Sequence, residues 1–162
     1  MNALAIRDAT DADADAACEV MRRSITELCL EDHNNVPQIL KRWLANKQPE
    51  IFRRWVAQAG NSVMVAVERL DEGERILAVG AVTDQGEITL NYVSPDARFR
   101  GVSRAMLAAL EARARARGNS ECTLVSTATA RRFYLANGYA ESGPAQGRFG
   151  TRSAIPMRKR PN

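Results

Sequence analysis

The sequence predicts an α/β fold: a single mixed, mostly antiparallel sheet of about six to seven strands, with a central parallel pair, flanked by helices. Three observations carry this. After one short strand, the first sixty residues keep a helical period. The stretch from Val63 to Val93 then changes to period two, interrupted by two turn signals. From Glu87 to Ser126 a strand, a glycine turn, a long helix and a second strand follow in order. A strand reached through a helix lies parallel to the strand it left.

Each element has its own signal. Ala5 to Arg7 reads as a short strand, and Thr10 followed by Asp13 as a helix start with an acid at the third position. Ala17, Met21, Ile25 and Leu28 recur at steps of three and four, so one helix face runs to about Leu30. EDHNN reads as a loop. Pro37 opens a second helix with Ile39, Leu40, Trp43 and Leu44 on its apolar face, and Pro49 a third with Ile51, Phe52, Trp55 and Val56, closed by Gly60. SVMVAVERL alternates Val63, Val65 and Val67 on one face, DEGE turns, ILAVGAVT returns, DQG turns again, and EITLNYV sets Ile88, Leu90 and Tyr92 on one side. The helix after Gly101 ends at Gly118, and CTLVST forms the parallel strand. ARRFYLAN is a short helix stopped by Gly138. YAES and RSAIPM are the candidate last strands, around a loose glycine-rich loop.

The 162 residues are 45% hydrophobic and 26% charged, which fits one globular domain over residues 1–162. No long apolar run offers a membrane span, and the N-terminus lacks the charged and apolar regions of a secretory signal. Cys18, Cys29 and Cys122 are an odd number. Cys18 and Cys29 on one helix would be about 16 Å apart, too far for a disulfide. A reduced, cytoplasmic protein is the expectation. A net charge of +4 does not imply nucleic acid, and no aromatic–basic interleaving accompanies it. One histidine and scattered cysteines argue against a metal site.

The chemistry concentrates at RFRGVSR, Arg98 to Arg104, where three arginines surround one glycine at a strand-to-helix junction. Positive charge is unfavourable at a helix start, because the dipole is positive there too. A bound anion resolves the conflict. The glycine lets the backbone approach a ligand, the first amides of the helix have no partner, and arginines pair with phosphate oxygens. A solvated basic turn is the plain alternative. The adjacent parallel unit, with TATARRFYLANGYAES, places a second helix start at the same end of the sheet, where open α/β sheets bind ligands.

At this point the sequence resembles the GCN5-related N-acetyltransferase (GNAT) superfamily over nearly its whole length. IRDATDADADAACEVM is similar to the family's first strand and helix, LNYVSPDARFRGVSRAML to its acetyl-CoA motif, and ARRFYLANGYAESG to its second cofactor motif. The resemblance implies a sheet whose two parallel strands splay apart, and an acetyl-CoA-dependent transfer to a primary amine. It implies that Arg98, Phe99, Arg100, Gly101, Val102, Ser103 and Arg104 hold the pyrophosphate, mainly through amides from Arg100 onward. Val93, with Tyr92, would serve the pantetheine arm and the thioester carbonyl; Phe133 and Ala130 would pack beside it. Tyr134 would lie near the sulfur. Ser103 stands where Gly or Ala is usual, and its hydroxyl can donate to phosphate. Thr127 stands where many members carry Asn, a change at a pantetheine contact.

An amine attacks only when neutral, so a proton must be removed; the developing oxyanion needs a donor; the leaving thiolate needs a proton. The resemblance implies Tyr134 as general acid and, from spacing in histone-acetylating members, Glu87 as base. A solvated strand-end carboxylate is the alternative for Glu87. Asp32 and His33, in the loop between the first helices, are further bases or substrate contacts, with Asn91 on the acceptor side. The expected partners are acetyl-CoA and an amine acceptor, foremost a small molecule, with no membrane and no nucleic acid. A homodimer is compatible with the family. Protein amines, or acyl-CoA binding without turnover, are the other readings. Nucleic-acid binding through Arg113, Arg115, Arg117 and the tail MRKR competes with plain stabilisation of a helix C-terminus.

Overall fold

The computed structural model describes residues 3–160, with every side chain among them except that of Arg152. β1 (Leu4–Asp8) leads through a single 3-10 turn into α1 (Ala14–Leu28). The turn is fixed as the sequence predicts: the Asp13 carboxylate accepts from the Thr10 amide at 2.8 Å and from Arg7 at 2.8 and 2.9 Å. Three short helices follow, α2 (Leu30–His33), α3 (Pro37–Leu44) and α4 (Pro49–Ala57), the last two opened by proline in the first turn.

The meander is β2 (Asn61–Leu70), β3 (Gly73–Thr83) and β4 (Glu87–Val93). α5 (Val102–Ala116) crosses to β5 (Cys122–Ser126) and α6 (Arg131–Ala136) follows. β6 (Ala140–Glu141), β7 (Gln146–Arg148) and β8 (Thr151–Lys159) complete the sheet, whose order is β1-β2-β3-β4-β5-β8-β6, with β7 also on β8. One face packs on α5, with Met106, Leu107 and Leu110 against Leu77, Ala78 and Leu124; the other packs on α1 and α4, with Met21 and Phe52 against Val63, Val65 and Val67. No helix among the described residues is long and apolar enough to cross a membrane.

Three expectations are corrected. EDHNN is not a loop throughout: Leu30–His33 close one helical turn, and the reversal falls on Asn34 and Asn35, at φ 47° and 57°. Asparagine tolerates this left-handed region better than most residues. The glycine-rich segment is not loose: β7 pairs with β8 across a two-residue turn, Phe149–Gly150, with both φ positive (54° and 89°). That geometry matches the twist of a hairpin.

The third correction concerns β4. Leu90 pairs with Ala81 but Ile88 pairs with Val82, so Thr89 is an extra, bulged residue. The bulge shifts the alternation by one. Ile88 faces α5, whereas Leu90 and Tyr92 face α1, and not all three share a side. Asn91 and Val93 are thereby turned towards the α5 face, beside α6.

Candidate active site

β4 and β5 are parallel, as the sequence predicts, but they pair only at Glu87–Thr123 and Ile88–Leu124. Beyond that point the strands part. The edge of β4 from Thr89 to Val93 has no ladder partner on its β5 side. The gap belongs to a cavity of about 1040 Å3 that reaches both faces of the sheet. Its two ends differ in chemistry.

The α5 end is cationic and rich in amides. Gly101 caps α5 with φ 78°, in the left-handed region, and beyond its chain neighbours and its own helix backbone no atom lies within 4 Å of where its Cβ would be. The first helical bond runs from the Ala105 N–H to the Gly101 carbonyl at 3.1 Å. The amides of Val102, Ser103 and Arg104 therefore have no intrahelical acceptor. Arg98, Phe99, Gly101, Val102, Ser103 and Arg104 line the cavity here. Phe99 is 94% exposed, with Arg98 stacked 4.7 Å from its ring centre. The Arg100 side chain is not in the cavity wall. Its guanidinium pairs with Glu68 at 2.9 Å, and with Arg75 it holds that carboxyl below the usual range.

Further in, Asn91, Tyr92, Val93, Thr127, Ala130, Phe133 and Tyr134 line the gap. Asn91 Nδ2 donates to the Tyr134 hydroxyl oxygen at 3.1 Å. With that oxygen accepting, the phenolic proton remains available to a ligand. Burial pushes the Tyr134 phenol up to about 12, with the Asn91 bond acting the other way. Tyr134 thus stays protonated over the physiological range.

The three candidate bases fare differently from their expected roles. Glu87 is exposed at the closed end, where β4 and β5 still pair, and is not part of the cavity wall. His33 is fully buried, one ring nitrogen against the Ile25 carbonyl at 2.9 Å and the other accepting from the Asn35 amide at 2.9 Å. Asp32 does line the cavity, but its oxygens accept from the Ala128 amide (2.7 Å), the Thr129 amide (3.2 Å) and the Thr129 hydroxyl (2.6 Å). It clamps the turn between β5 and α6. Thr127 belongs to the same turn, its hydroxyl accepting from the Ala130 amide at 3.0 Å.

The opposite end joins Trp43 and Tyr92 to groups that the sequence did not single out, Lys47, Arg148 and Phe149. Trp43 stacks on Phe149 at 5.8 Å and donates its indole N–H to the Tyr92 hydroxyl at 3.1 Å. Lys47 is 2% exposed, in the turn between α3 and α4. Burial first, then Arg148, lowers its ammonium to about 8. Trp43 and Trp55 were legible as apolar-face residues of their helices. Lys47, in ANKQP, carries no periodic signal, and only the packing of β7 and α3 around it gives it a role.

Residues 29–161 match the family model described as the acetyltransferase (GNAT) domain. The chain belongs to the GNAT family and is an acyltransferase. Solved structures agree on the fold. A GCN5-related N-acetyltransferase from Rhodopseudomonas palustris superposes with a TM-score of 0.83 at 23% identity, covering 99% of this chain and 98% of that one. The PaiA N-acetyltransferase from Thermoplasma acidophilum, solved with coenzyme A, gives 0.80 at 15% identity over 98% and 99% of the two chains. A phosphinothricin acetyltransferase from Sinorhizobium meliloti, solved with acetyl-CoA, gives 0.67 at 20% identity over 96% and 87%. No curated protein sequence matches the chain.

Proposed function

We propose that the protein transfers the acetyl group of acetyl-CoA to a small-molecule primary amine, by direct attack with both substrates bound. The observation that carries this reading is the single cavity that joins the free amides of α5, the unpaired edge of β4 and the Tyr134 hydroxyl. Those groups fit the donor in order: an anion site, a hydrogen-bonding edge for an amide-bearing arm, and a proton donor at its end. When bound, acetyl-CoA supplies the acetyl group as an activated thioester.

The residues then divide the work. Amides at the start of α5, with Arg98 and Arg104, bind the pyrophosphate. The open edge of β4 at Val93 donates to the thioester carbonyl oxygen as negative charge develops there. Tyr134 donates its hydroxyl proton towards the leaving sulfur. Full transfer from a phenol near 12 to a thiolate near 8.5 is uphill, so a hydrogen bond during bond breaking is its main contribution. Neither Glu87 nor His33 lines the cavity, and the Asp32 oxygens already accept from the β5–α6 turn. Lys47 and Arg148 disfavour the ammonium form of an entering amine, and water carries its proton away.

A thiol-release assay over an amine library tests the reading. Turnover is expected with some small amines, and Tyr134→Phe should lower kcat by about 100-fold, the usual scale of general acid catalysis, with little change in acetyl-CoA affinity. Tight acetyl-CoA binding with no release across the library would favour a binding module. Release with protein amines alone would replace the acceptor class.

A further inference from the structure

Lys47 is a buried cation with no carboxylate partner among the described residues. Its Nζ donates to Asn46 Oδ1 at 2.7 Å and lies 5.8 Å from the Tyr92 ring and 5.3 Å from the Phe149 ring. An ammonium has three donors, so two remain for the chamber. The position is held from outside: Arg22 donates to the Leu44 and Lys47 carbonyls at 3.2 and 3.4 Å, which pins the turn. A second cation, Arg148, shares the chamber wall and stacks 5.6 Å from Phe149. Asp32 is the only carboxylate in the cavity wall among the described residues, and its oxygens are already engaged.

Isolated buried charges are costly unless paired. No carboxylate among the described residues provides the counter-charge here, which leaves that role to a ligand. The walls set the rest of its shape: Lys47 lies beside the Tyr92 and Phe149 rings and Arg148 beside Phe149, with Trp43 stacked on Phe149 and bonded to Tyr92. We infer that the acceptor is a small amine bearing a carboxylate, which Lys47 and Arg148 bind while the Trp43, Phe149 and Tyr92 rings enclose its apolar portion. The inference rests on the transferase reading above. It names a class: amino acids with apolar or aromatic side chains, as against polyamines or aminoglycosides, whose extra positive charge this chamber repels.

The test compares matched acceptors on the full chain: phenylalanine with phenethylamine, tryptophan with tryptamine, leucine with isoamylamine. Two readouts are taken, thiol release with acetyl-CoA and calorimetric binding of each acceptor to the coenzyme A-loaded protein. The carboxylated member of each pair should be preferred. Lys47→Met should weaken it by on the order of 100-fold, the scale of a charge-assisted hydrogen bond, while acetyl-CoA affinity holds. Arg148→Gln, at an exposed residue, gives a second variant should Lys47→Met fold poorly, with a loss of about 10-fold expected. Preference for the carboxyl-free amines, or an unchanged ratio in both variants, would overturn the proposal. Thiol release from no amine would sink the transferase reading alone, provided carboxylate binding persists and is lost in Lys47→Met.

Discussion

Gly101 and Lys47 show how differently single residues reveal function. Gly101 was legible as the residue that starts α5, and the arginines around it are the reason to propose an anion there. Its φ of 78° and the empty space around its Cβ position make it a clean probe. Gly101→Glu should fold, at a backbone cost of about 1–2 kcal/mol, and lose acetyl-CoA binding through the misplaced carboxylate. Retained affinity, measured by calorimetry, would remove the phosphate site from this turn. Lys47 was not legible, because burial is decided by its neighbours. Its ammonium falls from 10.5 to about 8, which corresponds to roughly 3 kcal/mol of destabilisation while it stays charged. Below pH 8 both states are protonated and the full cost applies. Between 8 and 10.5 the folded state releases its proton first, the unfolded chain holds more protons, and stability rises with pH. Lys47→Met should therefore be more stable than the parent at pH 7, and its advantage should shrink towards pH 10.5 in urea titrations. A variant less stable at pH 7 would show that Lys47 supports the fold instead.

Among elements, α2 and β4 depart most from their sequence patterns, and both departures build the cavity. The bulge at Thr89 could not be read from EITLNYV, because alternation alone does not reveal an inserted residue. Without it, Asn91 would not face Tyr134. The single turn of α2 places Asp32 against the β5–α6 turn, nearly a hundred residues away in sequence. Asp32→Ala leaves two amides and two hydroxyls, those of Thr129 and Ser153, without this acceptor, at a cost on the order of 3 kcal/mol. The expected result is a lower melting temperature together with a raised KM for acetyl-CoA. Were both unchanged, the clamp would be idle and a direct substrate role for Asp32 would return. The β7–β8 hairpin was missed for a similar reason. Phe149 is an uncommon residue at positive φ, and no Asn-Gly or Asp-Gly pair announced the turn.

For the whole molecule, one cavity reaches both sheet faces, and on the proposed reading donor and acceptor meet in it without changing places. Steady-state kinetics should give intersecting double-reciprocal lines, not the parallel lines of a covalent relay. Cys29 is the only thiol in the cavity wall among the described residues, and burial pushes it up to about 12, leaving almost no thiolate at pH 7. Cys29→Ala should keep its turnover; parallel lines, or an inactive alanine variant, would call for an acyl-enzyme. The sequence alone determined the class of fold, the parallel β4–α5–β5 unit and the arginine-flanked glycine that starts α5. These depend on local periodicity, turn chemistry and the dipole of one helix, all short-range properties. Tertiary structure decided which carboxylates are spent, where the sheet opens and which cation is buried without a carboxylate partner among the described residues. Those depend on contacts between residues far apart in the chain, such as Lys47 with Phe149 and Asp32 with Thr129. Burial and pairing arise only when the chain closes on itself, and in this protein they shape the end of the cavity around Lys47.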